Sequence, residues 1–405
     1  MREPAKTSPV PAPPAGPAAL SLPALLGRFL KIGAIGFGGG MANIGLIEHE
    51  LVRKEHAIDA DEFLHGVGMA QLLGPFATNT ALFVGNRLYG TLGGLSCAAA
   101  FMAPSVALVI LLSWLYFSFH AIPALQGAIG GLGPVVIALI VSAAWAMGRS
   151  AVRTWPAAGL ALLALGLSLL KLNPVYILAA AGVVGLVAGR GRLAGGAAGR
   201  PENDTQPRTQ EPPPPPAALV ASAVPGAAAA AGGVSLATLA STFVKVGVIF
   251  FGGGFVLVPI LHRHLVESLG WLTPREFLDG VAISNLTPGP IAVLATFAGF
   301  RMHGIAGALV ATVALFTPAL ALMTVLSHGY TRFRDSQRVR DALAGIAPAV
   351  VGLVAGAVVP LAPGALHGAA GVVLAAAALV LLIRQRWHPA FVLVIGAATG
   401  VVGWV

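Results

Sequence analysis

Apolar stretches of about 20 residues, long enough to cross a roughly 30 Å hydrocarbon core as helix, recur from one end of this 405-residue chain to the other. In hydrocarbon every backbone N–H and C=O must be satisfied within the protein, which leaves helices and closed barrels as spanning structures. The alternating ten-residue pattern of a barrel strand is missing, so the expected fold is an all-α polytopic membrane protein. Composition agrees: charged residues are 10% of the chain and mean hydropathy is +0.85, against about 25% charged in soluble domains.

The apolar stretches come in two matching sets. Phe29-Leu30-Lys31-Ile32-Gly33 matches Phe243-Val244-Lys245-Val246-Gly247 at an offset of 214 residues. The same offset aligns Phe37-Gly38-Gly39-Gly40 with Phe251-Gly252-Gly253-Gly254, Phe63 with Phe277, Arg87 with Arg301, Pro104 with Pro318 and Pro134 with Pro348. Alanine-rich sequence imitates similarity, but ungapped coincidences of Phe, Lys, Arg and Pro do not arise that way; the chain is one unit used twice. The expected organisation is a disordered tail over 1–20, a first repeat over 21–189, a Pro/Ala-rich linker over 190–234 and a second repeat over 235–405. The tail lacks a signal peptide's basic-then-apolar order, and the run Pro212 to Pro216 stiffens the linker.

Apolar segments fall near 22–47, 64–86, 91–119, 127–148, 157–170 and 174–189, and again near 236–261, 278–300, 304–330, 342–360, 368–383 and 389–405. The second of each set carries Gly74-Pro75 or Pro288-Gly289-Pro290, which a regular helix does not accommodate. Each is expected to be a re-entrant or broken helix, since irregular backbone at membrane depth survives only inside protein or beside a wet cavity. Five crossings per half would then make the two halves inverted repeats. Loop charge is consistent with this: Arg149 and Arg153 follow the fourth segment of the first half, whereas Arg332, Arg334, Arg338 and Arg340 follow the third segment of the second. A further span within 217–233 would give six-plus-one-plus-six.

Candidate functional residues follow from what is costly in a bilayer. Lys31 and Lys245 lie about ten residues into apolar segments, and an ionisable group at that depth is a functional-site hypothesis by default, although a long side chain also snorkels. Gly38, Gly39 and Gly40, with Gly252, Gly253 and Gly254, weaken their helices by about 1 kcal/mol each relative to alanine and let backbone N–H groups face an anion; close helix packing is the competing explanation. Gly74 and Pro75, with Pro288, Gly289 and Pro290, add exposed backbone, and Asn43, Gln71, Asn79, Asn285 and Thr287 add neutral donors. Arg87 and Arg301 sit at segment ends, where they contact substrate or anchor the helix at the membrane face.

Other chemistry finds little support. Net charge is +9, but it is scattered through loops, unlike the basic stripe of a nucleic-acid-binding protein. A single cysteine, Cys97, excludes an internal disulfide. His262 and His264 without a third ligand make a poor metal site. No catalytic constellation, metal or cofactor is expected, and a lipid-handling enzyme or sensor would need an acid–base cluster or an output domain.

Phe37-Gly38-Gly39 and Phe251-Gly252-Gly253, then Glu62-Phe63, Trp271-Leu272-Thr273-Pro274-Arg275-Glu276-Phe277, Pro288-Gly289-Pro290, Gly85-Asn86-Arg87 and Gly299-Phe300-Arg301 are similar to motifs of the chromate ion transporter family, in its long two-domain form. The resemblance covers about 28–190 and 242–400. It implies a bacterial inner-membrane exporter of chromate that confers chromate resistance, with sulfate as the look-alike ion and a homodimer left open. The chain departs from the family pattern at Gly40 and Asn43, and at Leu73 and Phe76, beside the expected substrate site.

Overall fold

The chain begins its described course with a break where the sequence suggested a straight crossing. A computed structural model describes residues 20–37, 39–119, 122–189, 193, 234–250, 254–328, 337–366 and 368–403. In the first half, α1 (Leu22–Ile35) stops at Gly36, and α2 (Gly39–Ile47) continues through a π-helical turn, Glu48–Lys54. Then come α3 (Ala60–Leu72), α4 (Phe76–Phe119), α5 (Pro123–Ala151), α6 (Trp155–Leu169) and α7 (Pro174–Ala188). The second half repeats this series as α8 (Leu236–Ile249), α9 (Leu257–Leu261) entered through a 3-10 turn Gly254–Val256 and followed by a π-helical turn His262–Ser268, α10 (Pro274–Leu286), α11 (Leu294–His328) entered through Ile291–Val293, α12 (Gln337–Ala365), α13 (Gly368–Ile383) and α14 (Pro389–Val401). Four helical runs among the described residues are long and apolar enough to cross a membrane, and five shorter ones are apolar. The expected linker lies outside the described residues except for Leu193 and Val234, as does the tail except for Leu20.

Local sequence explains the helix starts. Asp59 caps α3 by accepting from the backbone N–H of Asp61 and Glu62. Thr273 and Glu276 form a reciprocal capping box on α10. Proline occupies the first turn of α5, α6, α7, α10 and α14, where its missing N–H removes a group that would be orphaned anyway. Outward faces of the helices carry large apolar side chains such as Leu92, Leu162 and Val187, as a lipid-facing surface requires.

Contacts between residues far apart along the helices show that the early segments double back. Gly66 on α3 packs against Phe83 on α4, and Gly280 on α10 packs 2.5 Å from Phe297 when given a Cβ. Seventeen residues of straight helix would separate such pairs by about 25 Å, so the chain reverses at Leu73–Pro75 and again at Thr287–Pro290. The α1–α2 segment reverses as well, since Arg28 pairs with Glu55 and Lys31 with Glu50. The apolar segment near 22–47 is therefore a second re-entrant pair rather than a continuous helix; Gly36 and Gly39, the latter at φ 80°, supply the turn.

A third reversal lies inside α4. Tyr89 and Gly90 leave helical geometry, with Gly90 at φ 69°, and Gly85 lies against Gly93 and Cys97. The run is a hairpin of a short returning arm and a long arm. His303 and Gly304 (φ 57°) do the same in α11, with Gly299 against Gly307. Both turns are held alike: Tyr89 donates to the Leu20 carbonyl and His303 contacts the Val234 carbonyl.

The 214-residue offset thus holds in space, down to the packing of Gly33 against Phe101 and of Gly247 against Leu315. The orientation of the halves follows from their mutual contacts. Phe117, at the far end of the first half's long arm, packs on Phe297 and stacks on Phe300, at the base of the second half's re-entrant hairpin. Ser105, midway along that arm, reaches the hairpin's tip at Pro288. Ser327 meets Asn86 in the reciprocal position. Equivalent arms run antiparallel, so the halves are inverted repeats whose re-entrant hairpins enter from opposite faces. Each half is also clasped by the other's terminal helices: α14 crosses α5 at Gly127 and Gly131, and α7 crosses α12 at Gly345.

Candidate anion site at a junction of four broken helices

Inverted re-entrant hairpins must meet at their tips, and here the four breaks close into a ring. Gly40 at the start of α2 packs on Phe76 at the start of α4. Gly74 (φ 46°) faces the second half, where a Cβ would lie 2.6 Å from the Phe250 carbonyl oxygen. Gly254 packs on Ile291. The ring closes where the Gly289 N–H donates to the Gly36 carbonyl at 3.0 Å. Gly36 and Phe250 are equivalent by the offset, and Gly74 and Gly289 by the offset with its one-residue slip. The two cross-half contacts are therefore one contact made twice around a pseudo-two-fold axis.

Two helices of the first half, α2 and α4, and the two 3-10 turns of the second begin at this ring, and the first N–H groups of a helix have no partner inside it. Their aligned dipoles favour negative charge. Buried side chains add orphaned polar atoms. Asn43 is fully buried and donates to the Gly39 carbonyl at 3.0 Å, which leaves its Oδ1 without a partner beside Gly36. Asn79 donates to the Leu73 carbonyl, with its Oδ1 also unpartnered, and the Thr78 hydroxyl is buried and unpartnered. Buried polar groups without partners cost about 1–3 kcal/mol each, and all three sit in the helices that begin at the ring, Asn43 in α2 and Thr78 and Asn79 in α4.

Not every expected residue belongs to this cluster. Gly39, Gly40, Asn43, Gly74, Pro75, Asn79, Gly254, Pro288, Gly289 and Pro290 lie at or beside the ring. Gly38, Gly252 and Gly253 lie outside the described residues. Asn285 donates to the Val281 carbonyl at 2.8 Å, and the Thr287 hydroxyl donates to the Ser284 carbonyl at 3.0 Å, so both bond within their own helix. Gln71 is exposed and reaches the Met41 sulfur at 3.6 Å.

The two lysines are not buried. Lys31 is 53% exposed and pairs with Glu50 at 3.5 Å; Glu50 also gathers Arg28 and Lys54. Lys245 is exposed on α8. The buried face of α1 belongs to Leu25, Phe29, Ile32 and Gly33, and Lys31 falls off that face by helical geometry. Arg87 pairs with Glu62, and Arg301 with Glu276 at 2.9 Å while its guanidinium sits 5.6 Å from the Phe117 ring. These matched pairs tie each re-entrant hairpin's returning arm to its entering helix.

Sequence reasoning passed over Ser105, which is fully buried and donates to the Pro288 carbonyl, and Asp279, which is 3% exposed. Both occupy positions where the halves differ, Ser105 against Ala319 and Asp279 against His65. Departures from the repeat were the signal available.

Two inverted halves, re-entrant hairpins entering from opposite faces, and unwound backbone at their meeting point define a multi-pass membrane transporter architecture. Comparison with known proteins makes this specific. The chromate transporter family model matches residues 23–186 and 237–403, and the chain belongs to that family. It is 30% identical to a probable chromate transport protein of Synechococcus elongatus, over 95% of this chain and 96% of that one. It is equally 30% identical to chromate transport proteins of Pseudomonas aeruginosa (85% and 82% covered) and Cupriavidus metallidurans (91% and 90%). No solved structure matches the chain at a significant level.

Proposed function

We propose that this protein exports chromate, or a closely related tetrahedral oxyanion, from the cytoplasm across a bacterial inner membrane, and so confers chromate resistance. The observation that carries the reading is the ring of four helix breaks, where helices and 3-10 turns begin, together with the unpartnered Thr78 hydroxyl. A tetrahedral dianion offers acceptors in every direction, and donors arriving from two inverted halves suit it. Selection against chloride would come from the number and direction of these donors; sulfate, of the same shape and charge, is the expected competitor.

Alternating access follows from the same geometry. Hairpins from the two faces touch at Gly36–Gly289 and Gly74–Phe250, so tilting one half against the other opens the ring to one side and closes it to the other. An inside-negative potential of 100 mV is worth about 2.3 kcal/mol per charge, which favours expulsion of a dianion. Lys31 and Lys245 are assigned a peripheral part, raising the positive potential along the route without touching the bound ion.

The test is radiolabelled chromate flux into energised inverted vesicles, with unlabelled sulfate as competitor. Accumulation above that of vesicles lacking the protein is expected. Its absence, with another oxyanion moving instead, would keep the architecture and discard the substrate. In the same assay Lys31→Ala and Lys245→Ala are each expected to lower flux by only about two- to five-fold, since exposed charges act at long range and weakly. A complete loss in either would place that lysine in direct contact with the anion.

A second prediction concerns the paired hairpin clamps. Removing one partner of the Arg301–Glu276 pair, as Glu276→Ala, also deletes the α10 capping box, so a loss of about 2 kcal/mol is expected. Thermal unfolding in detergent should show Glu276→Ala clearly less stable than Glu62→Ala, because Asp59, not Glu62, caps α3. Equal losses would refute the assignment.

A further inference from the structure

Asp279 is a buried carboxyl group that the proposed anion site does not use. It lies on α10, one helical turn after Arg275, and its carboxylate accepts a hydrogen bond from the Tyr116 hydroxyl at 2.8 Å. Tyr116 belongs to the other half of the molecule, on the long arm of α4, where its ring also meets Phe297 edge-on at 5.6 Å. The other side of Asp279 opens on a cavity of about 220 Å³. Its lining includes Gln126, Gly127 and Gly130 from α5, Arg275 and Asp279 from α10, and Gly364 from α12. The carboxyl group therefore stands at the boundary between the two halves, beside a cavity in which Arg275 and Gln126 are set among glycine and apolar residues.

We propose that Asp279 is a protonation site that takes up and releases a proton as the two halves move, and so links anion transport to pH. This rests on the transport reading above. An ionised carboxylate in a dry interior is costly, so Asp279 is neutral when the cavity is closed and ionises when the cavity admits water. Tyr116 adjusts that balance, because its hydroxyl donates to the carboxylate and favours the charged form.

The link to the anion is electrostatic. Asp279 lies seven residues before Leu286, the last residue of α10, about 10 Å along the helix at 1.5 Å per residue, and the ring lies just beyond that end. In a medium of low dielectric a dianion at the ring repels a negative carboxylate over that distance. Anion occupancy therefore raises the proton affinity of Asp279, and by reciprocity a proton on Asp279 favours the anion. Proton and anion travel in the same direction. A dianion accompanied by one proton still carries one net negative charge, so an inside-negative potential continues to expel it.

The surrounding charged groups are compatible with this role. On α10 itself, Arg275 shares the cavity, and Glu276 is engaged by Arg301 of α11 at 2.9 Å. From α4 comes Tyr116, and from α5 only the neutral Gln126. The π-helical turn that follows α9 brings His262, packed on Phe277 of α10 with ring centroids 5.3 Å apart and 3.6 Å from Glu267. α12 contributes Gly364 to the cavity, and α14 has no titratable side chain.

The test uses the full chain in proteoliposomes with the potential clamped at zero, radiolabelled chromate on one side and a pH dye inside. For the wild type, acid on the chromate side should drive chromate across, and chromate movement should carry protons with it. Asp279→Asn should lose both effects while retaining flux driven by an imposed potential. Tyr116→Phe should keep coupling but move the midpoint of its pH dependence upward by about one unit, the loss of one hydrogen bond to the charged form. Coupling unchanged in Asp279→Asn overturns the proposal, as does an unmoved midpoint in Tyr116→Phe, which decides the matter should Asp279→Asn fail to insert. If the wild type moves no chromate under any gradient, the substrate reading has failed instead. The infrared carboxyl difference spectrum of the purified wild type against Asp279→Asn then decides the protonation site alone: a titrating band must appear in the wild type that the variant lacks.

Discussion

Replacing Gly289 by alanine is expected to cut chromate flux to less than a tenth of the wild-type rate while leaving the protein inserted in the membrane. Gly289 sits at φ 100°, a region that side chains rarely enter, at a cost of about 1–3 kcal/mol. Its new Cβ would also collide with the Ser105 hydroxyl, the group that donates to the Pro288 carbonyl and fixes the hairpin tip. Relieving either conflict displaces the Gly289 N–H from the Gly36 carbonyl and opens the ring on which the proposed site depends. Gly304→Ala provides the control. Its φ is 57° and nothing lies within 4 Å of a Cβ there, so it carries the conformational cost at the hairpin base without the collision. Flux should survive in Gly304→Ala and be partly restored to Gly289→Ala by a second change, Ser105→Gly. Equal flux in Gly289→Ala and Gly304→Ala would show that the tip contact does not matter for transport.

The second large effect concerns stability. Gly131→Leu is expected to destabilise the folded protein by about 3 kcal/mol, at the upper end of what overpacking costs, or to prevent its accumulation altogether. A Cβ at Gly131 would run into the Gly396 carbonyl oxygen and lie 2.9 Å from the Gly400 nitrogen, and neither backbone atom moves without shifting the whole of α14. Gly130, the adjacent residue, has nothing within 4 Å of a Cβ, so Gly130→Leu should be tolerated. Because α5 and α14 belong to different halves, the comparison reports on how the halves grip one another. Thermal unfolding followed by gel filtration in detergent measures it. If both variants melt together, the close crossing of α5 and α14 is not a source of stability.

Such crossings are where the glycines of this sequence divide by role. For Gly38 to Gly40 and their counterparts, the sequence allows flexible backbone around an anion or close helix packing. Among the described residues, glycines fall into two structural groups. Gly33, Gly131 and Gly345 admit another backbone at contact distance, the packing device of membrane helices. Gly39, Gly74 and Gly289 adopt positive φ and shape the ring. A glycine run has the same letter in either use, and only its neighbours in space separate them.

The lysines teach the complementary lesson. Depth along an apolar segment is legible in the sequence, but it equals depth in the membrane only where the helix runs straight. Once Gly36 turns the chain back, Glu50 returns to the level of Lys31 and pairs with it. The α1 periodicity already placed Phe29 and Ile32 on one face and Lys31 off it, so facing was a better guide to this residue than depth. Asp279 escaped for the opposite reason. It is one acidic residue in an ordinary-looking helix, and its significance depends on Tyr116, 163 positions earlier in the chain.

By itself the sequence determined the helical membrane class, the duplication and the places where regular helix must fail, because hydropathy, an ungapped offset and Pro-Gly chemistry are properties of neighbouring residues. Only the tertiary structure decided that the breaks are reversals, that the hairpins enter from opposite faces, and that Gly36 meets Gly289 as Gly74 meets Phe250. Those are contacts between segments about 175 to 250 positions apart, chosen by which close helix crossings and which carbonyl–amide pairs can be satisfied together in a medium that offers no water to the ones left out.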